Sequence, residues 1–223
     1  MIHVRMETRG PESSVVEAFR ALDVASVYEA SGRKGCIENA IRPIASGTRI
    51  CGPAYTVQCA PGDNLMLHKA LQKAPEGAVI VASVGGVYAY GYWGGLMATS
   101  GLARGLAGLA IDGCIRDSVE IAKMRFPVFC RGFSIRGTTK AVLGLINYPL
   151  NFGQTTIFPG DLILGDDDGM VVVRMDECRD VLEKTQKRIE AEVGKRKQLE
   201  AGVSSVELNG LEKVFTSLGL GEE

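Results

Sequence analysis

The sequence predicts an α/β fold in which helices are layered on a sheet. Three observations carry that expectation. Short apolar, β-rich runs alternate with helix-length segments through the middle of the chain, Gly/Pro/Asp turns separate them, and a long helical charge pattern follows near the end. With 223 residues and no internal repeat or low-complexity linker, residues 1–223 are expected to form a single domain.

The elements follow in order. Residues 12–22 (ESSVVEAFRAL) and 24–31 read as short helices, the second ending at Gly32. The run RICGPAYTVQCA (49–60) is β-rich and stops at the turn PGDN, whose Asp63 could cap a helix through LMLHKALQKA. AVIVASV (78–84) is a buried-strand candidate, followed by a loop crowded with glycine and aromatics, GGVYAYGYWGG. GLMATSGLARG then reads as a helix, LAGLAID (106–112) as a strand, DSVEIAKM as a helix and FPVFCRGFSI as a strand-like run. FPGDLILGDDDGMVVVR (158–174) suits two strands around a tight Asp-Gly turn, and one amphipathic helix is expected from about 176 to 201.

Composition excludes several function classes. Apolar residues make up 46% and charged residues 23%, with a formal net charge of −1, so nothing points to nucleic acid as a partner. The basic cluster GKRK (194–197) sits in a helical charge pattern and reads as a solvated face. No apolar run approaches the roughly 20 residues of a membrane span. The six cysteines are far apart without any CxxC, and the opening residues are polar and charged, so buried reduced thiols in a cytoplasmic protein are expected. Two histidines, His3 and His68, poorly supply a zinc site or a histidine triad. Neither GxGxxG nor GxxxxGK[ST] occurs, which weighs against a dinucleotide or P-loop enzyme.

Chemistry concentrates in CIRDSVEI (114–121). Arg116 and Asp117 are adjacent, so on a regular helix or strand they would point apart. They follow a predicted buried strand, however, and at the carboxyl end of a strand the turning chain can aim both at one ligand crevice. A guanidinium grips a carboxylate bidentately, and a carboxylate is a hard ligand for Mg²⁺ or Mn²⁺. The competing structural account makes Asp117 a helix cap and Arg116 a surface charge. Upstream, GYWGGLMATSG permits close backbone approach and would present free N–H groups around Gly94–Met97, an anion site at a helix start. The competing account there is a flexible turn.

Gly95, twenty intervening residues, then Arg116-Asp117 and Glu120 resemble the signature of the RraA-like family. VYEASGR (27–33), PGDNLMLHKAL (61–71), PGDLILGDDDGMVVV (159–173) and QKRIEAEVGKRKQLEAG (186–202) agree in order and spacing. That family joins regulators of ribonuclease E to the 4-hydroxy-4-methyl-2-oxoglutarate / 4-carboxy-4-hydroxy-2-oxoadipate aldolases, and the long C-terminal helix is similar to the aldolase branch. The resemblance implies an α-β-β-α sandwich like a swivelling phosphohistidine domain, assembled as a homotrimer or homohexamer with active sites between subunits. Arg116 would bind the substrate's carboxylate and keto end, and Asp117 would anchor a divalent metal, Mg²⁺ or Mn²⁺. The backbone of Gly94, Gly95, Leu96 and Met97 would receive the pyruvate carboxylate. Glu29 and Glu192 match acidic positions facing the site, Glu192 from a neighbouring subunit. Two departures stand out: the aldolases are expected to carry an acidic residue where Gly95 stands, and a histidine is frequent at Tyr28.

The implied activity is metal-dependent cleavage of 4-hydroxy-2-oxo acids to pyruvate, with oxaloacetate decarboxylation through the same enolate. The alternative is a non-catalytic regulator that binds a ribonuclease or helicase. Among lesser signals, Asp166-Asp167-Asp168 reads as a solvated turn rather than a metal site, and His68 as a packed or partly exposed side chain. Trp93 would either wall the pocket or pin a subunit contact. Asp63 and Asn64 would cap a helix or shape a site from an adjacent chain.

Overall fold

The computed structural model describes residues 2–6 and 9–221. Both predicted N-terminal helices form, α1 (Ser13–Arg20) and α2 (Val24–Ala30). Asp23 caps α2 by accepting the Ser26 N–H at 2.7 Å, and Gly32, at φ 75°, turns the chain out of it. The central elements are β1 (Arg42–Pro43), β2 (Ile50–Gln58), α3 (Leu65–Lys73), β3 (Val79–Ser83), α4 (Gly95–Ala103), β4 (Gly108–Ile115), α5 (Ser118–Met124) and β5 (Val128–Phe133). Short strands β6 (Leu145–Ile146), β7 (Leu150–Phe152) and β8 (Thr155–Ile157) lead to the hairpin β9 (Leu162–Asp166) and β10 (Gly169–Val173). The helices α6 (Cys178–Glu200), α7 (Ser205–Asn209) and α8 (Glu212–Ser217) complete the chain.

The main sheet runs β1-β5-β4-β3-β2-β9-β10, with β6 also on β2. Strands β2 to β5 are parallel to one another, and β9 joins β2 antiparallel. The two outer strands nearly meet: Arg42 on β1 donates to the carbonyls of Asp167 (2.7 Å) and Asp168 (3.0 Å) in the β9–β10 turn. The sheet thereby curls into an almost closed barrel.

Alternation along the strands explains the layering. Ile80 and Ala82 pack with α3–α5, whereas Val79 and Val81 face the barrel interior with Ile163, Met170 and Val172. The opposite face of the β9–β10 hairpin, Leu162, Leu164, Val171 and Val173, packs against Val15, Phe19 and Val27 of α1 and α2 and Val181 of α6. Three apolar clusters separated by two curved layers of strands make the α-β-β-α sandwich, with both faces of the central strands buried.

Several expectations are adjusted. β4 continues through Ile115, because a register irregularity between Ile111 and Cys114 lets it keep pairing with β5 beyond the polar Asp112-Gly113. The hairpin turn is Asp167-Asp168 rather than Asp-Gly, since Asp166 pairs directly with Gly169. Its acids serve the fold: Asp167 accepts from Ser46 and Gly47, and Asp166 from Val24 and Asp168. The long helix starts at Cys178, after a 3₁₀ turn, and only its first turns are amphipathic, with Cys178, Val181 and Thr185 buried and Val193 exposed. Cys36 is exposed and Cys51 half-buried, while Cys59, Cys114, Cys130 and Cys178 are buried as free thiols. Among the described residues, no helix is long and apolar enough to cross a membrane.

Candidate active site

The parallel strands end together at Gln58, Ser83, Ile115 and Phe133, and the loops beyond them enclose a cavity of about 290 Å³. Arg116, Asp117, the Gly94–Met97 segment, Asn64, His68 and Lys140 are among its lining. The carboxyl edge of the sheet thus carries the cavity, as the strand order requires.

Adjacent Arg116 and Asp117 converge because the backbone bends between them. Asp117 adopts a left-handed conformation (φ 59°), which costs a non-glycine residue on the order of 1 kcal/mol and turns its side chain back beside its neighbour. Arg116 Nε lies 3.7 Å from Asp117 Oδ2, and both side chains remain nearly half exposed to the cavity. Asp117 stands at the start of α5 yet makes no side-chain cap there. Its Oδ2 accepts the Gly95 N–H at 3.0 Å, at the start of α4.

Glycine at 94 and 95 makes this approach possible. A Cβ on Gly94 would sit 2.7 Å from Asp117 Oδ2, and one on Gly95 would sit 2.5 Å from Glu120 Oε2. The space of a side chain at 95 is therefore filled by the carboxylate of Glu120, reaching over from α5. Glu120 carried no assigned role in the sequence reading, although it closes the Gly95…Arg116-Asp117 signature. Its place one turn beyond Asp117 was the signal that could have found it.

The backbone donors are fewer than expected. Gly95 N–H is held by Asp117 and Met97 N–H by Gly94 O at 3.0 Å, because the first turn of α4 is tied to neighbouring acceptors. Among the described residues, the amides of Gly94 and Leu96 carry no acceptor. Leu96 projects its side chain outward, 88% exposed, at the cavity rim.

Glu29 and Glu192 do not reach this cavity within one chain. They sit on α2 and α6, in the helical layer on the far side of the sandwich, paired with Arg33 at 3.1 Å and Arg188 at 2.8 Å. Trp93 neither walls the cavity nor faces outward: it is fully buried, stacked on Phe126 at 5.9 Å. Tyr92 supplies the wall instead. Its hydroxyl accepts from Gly62 N–H and donates to Val87 O, both at 2.8 Å, locking two loops to the floor.

Asn64 lines the cavity of its own chain, while Asp63 beside it ties the start of α3 to the segment around Thr139. Asp63 is 1% exposed and accepts from Leu65 N–H, Thr139 Oγ1, Ala141 N–H and Val142 N–H. Burial pushes its carboxyl up, but the four donors outweigh that and hold it below the usual carboxylate range. Asn64 donates from Nδ2 to Tyr92 O at 2.9 Å, and its buried Oδ1 has no donor. His68 is exposed at the rim, its pKa lowered by desolvation and by the nearby Lys140. Among the described residues, no group of three or more His, Cys, Asp or Glu side chains could by itself hold a metal ion.

Comparison with known proteins identifies the family and the fold. The profile of the RraA-like family (Aldolase/RraA) matches residues 15–172. A Halalkalibacterium halodurans protein, provisionally named a 4-hydroxy-4-methyl-2-oxoglutarate aldolase, is 35% identical over 177 residues, 79% of this chain and 84% of that one. The crystal structure of an uncharacterized Pseudomonas syringae protein superposes with a TM-score of 0.80 at 29% identity, covering 90% of this chain and 98% of the other. Streptomyces coelicolor RraAS2, described as an unusual member of the RNase ES inhibitor RraA family, shares the fold at a TM-score of 0.77 and 23% identity, over 85% and 99% of the two chains.

Proposed function

The chain belongs to the RraA-like family, and from that premise we propose that it is a divalent-metal-dependent lyase. In this reading it cleaves 4-hydroxy-2-oxo acids to pyruvate and a second oxo acid through a pyruvate enolate. The observation that supports it is the convergence of Arg116, Asp117 and Glu120 on the Gly94–Gly95 backbone at one cavity. The aldolase name of the Halalkalibacterium relative points the same way.

Mg²⁺ or Mn²⁺ suits the donor chemistry here. Asp117 and Glu120 offer hard oxygen ligands around a cradle that a Cβ would fill, and such ions keep several of their waters. Bound there, the cation supplies Lewis-acid polarisation of the C2 carbonyl. Arg116 and the amides of Gly94 and Leu96 hold the C1 carboxylate and the growing enolate oxygen. A water polarised by Arg116 takes the proton from the C4 hydroxyl. The C3–C4 bond breaks, its electron pair enters the enolate, and protonation at C3 gives pyruvate. Oxaloacetate yields the same enolate by losing CO₂, so one site serves both reactions. Glu29 and Glu192 act in this scheme from a neighbouring copy in a homotrimer or homohexamer, and the enzyme works in the cytoplasm.

The test is pyruvate release from 4-hydroxy-4-methyl-2-oxoglutarate and from oxaloacetate, with Mg²⁺ or Mn²⁺ and with chelator. Turnover is expected with metal and its loss on chelation, and Arg116→Ala is expected to lower it by about 10²–10³-fold. No pyruvate from either substrate with either ion would discard the reading and leave the ribonuclease- or helicase-binding regulator.

A further inference from the structure

The amino ends of the parallel strands lie at the opposite edge of the sheet from the Arg116 cavity. They carry two adjoining hollows of about 200 Å³ and 430 Å³. Arg49, just before β2, and Pro127, just before β5, belong to both. The smaller hollow is a slot between the α1–α2 turn and β9, with Phe19, Leu22, Val24 and Leu164 among its walls. The larger lies between the loop before β2 and the end of α5, where Arg125 and Phe126 help to line it.

Charge here is one-sided. Arg20, Arg49 and Arg125 line the hollows, and among the described residues no Asp or Glu does, in a chain whose formal net charge is −1. The acids of the β9–β10 turn are committed elsewhere: Asp166 accepts from Val24 N–H, and Asp167 from Ser46 and Gly47. Arg20 is paired with Glu17 at 3.0 Å, but Arg49 and Arg125 have no carboxylate partner among the described residues. Arg49 is anchored by donating to the Leu22 carbonyl on the slot's wall, which leaves most of its guanidinium donors free. Arg125 is exposed and ends α5 with a left-handed backbone, φ 56°. Burial pushes the Cys51 thiol up to about 11, and Arg20 and Arg49 pull against it, so both charges reach the wall that Cys51 forms. An apolar slot with unpaired guanidinium groups beside it suits a ligand with an apolar tail and a planar anionic head.

We infer that this amino-edge hollow is a second binding site, which takes a short-chain aliphatic carboxylate. The alkyl tail enters the slot beside Leu22, Val24 and Leu164, and Arg49 and Arg125 hold the carboxylate. The assignment goes beyond the lyase reading and does not depend on it.

The test is calorimetric titration of the full chain with butanoate, hexanoate and octanoate. Affinity is expected to rise about four-fold for each CH₂ buried, until the slot is full. Arg49→Met should weaken hexanoate about ten-fold, the effect of losing one charge-assisted hydrogen bond. Arg125→Gly should do the same while keeping the fold, because glycine accepts the left-handed backbone without strain. Arg116→Ala, at the other edge of the sheet, should leave hexanoate affinity unchanged. Location is read at Cys51, whose slow alkylation should slow further with octanoate bound while exposed Cys36 reacts as before. Binding lost in Arg116→Ala would place the carboxylate in the other cavity and overturn the assignment. So would unchanged binding in both Arg49→Met and Arg125→Gly, affinity independent of chain length, an unchanged Cys51 rate, or no binding of octanoate.

Discussion

Asp117 Oδ2 accepts the Gly95 N–H at 3.0 Å, so a residue standing at the start of α5 caps the start of α4. One carboxylate thereby joins the end of β4 to the helix that flanks the cavity. The same oxygen lies beside Arg116, and the left-handed backbone at 117 makes both contacts possible.

Asp117 therefore has a structural and a chemical part that substitution can separate. Asp117→Ala is expected to cost about 1 kcal/mol of stability through the lost cap and about 10²–10³ in kcat/KM. Asp117→Asn keeps an acceptor for Gly95 and should melt near the native temperature while remaining as inactive. Melts and kinetics on the two variants give the comparison, and an active Asp117→Asn enzyme would contradict a need for the charge.

Glu120 occupies the space of a side chain at 95, so Gly95→Ala must displace it. Because the displaced atoms are the end of a flexible side chain, the fold should survive with little change in melting temperature. Pyruvate release should fall at least ten-fold, comparable to Glu120→Gln. Placing the carboxylate on the other helix, as Gly95→Asp with Glu120→Ala, should recover part of that loss. No recovery and no effect of Glu120→Gln would remove Glu120 from the site.

Asp63 predicts an acid-dependent loss of stability. Its folded pKa is depressed, so its contribution is present above the unfolded value, near 4, and disappears as pH falls through the lower folded value. Asp63→Asn should cost about 1–3 kcal/mol near neutrality, and its stability difference from the native protein should shrink in acid. Denaturant titrations between pH 7 and pH 3 measure this. A difference that grows in acid would reverse the sign of the argument.

Thiol reactivity should divide by burial. Desolvation pushes Cys59, Cys130 and Cys178 up to about 12 and Cys51 up to about 11, while Cys36 is exposed. Titration of the native protein with a disulfide reagent at pH 7.5 should modify Cys36 quickly and the other five slowly, with all six reacting after denaturation. Rapid native labelling of Cys59 would show that the floor beneath α3 opens.

The sequence made the layering legible wherever an apolar run was long enough to be covered on both faces. AVIVASV and GLAGLAID behave in this way, since tertiary burial and local pattern agree there. The two-residue strands β1 and β6 and the small β7–β8 pair were not legible, because their pairing depends on distant partners rather than on their own pattern. In the site, the Arg116-Asp117 pair could be placed by the strand that precedes it. The spacing of Glu120 from Asp117 marked it as a candidate, but its contact with Gly95 shows only once α4 and α5 are packed. The donors gathered around Asp63 were not legible, because that carboxylate crosses to a segment far away in sequence. Glu29 and Glu192 came from the resemblance alone, and the single chain leaves them on its other face.

Trp93 is the chain's one tryptophan, it is fully buried, and it precedes Gly94 directly. Its indole shares an almost parallel stack with Phe126, 6° between the rings. The protein therefore carries an intrinsic optical reporter beneath its own cavity. Ultraviolet emission should be blue-shifted in the native state, and any ligand that shifts the first turn of α4 should alter its intensity without an added dye.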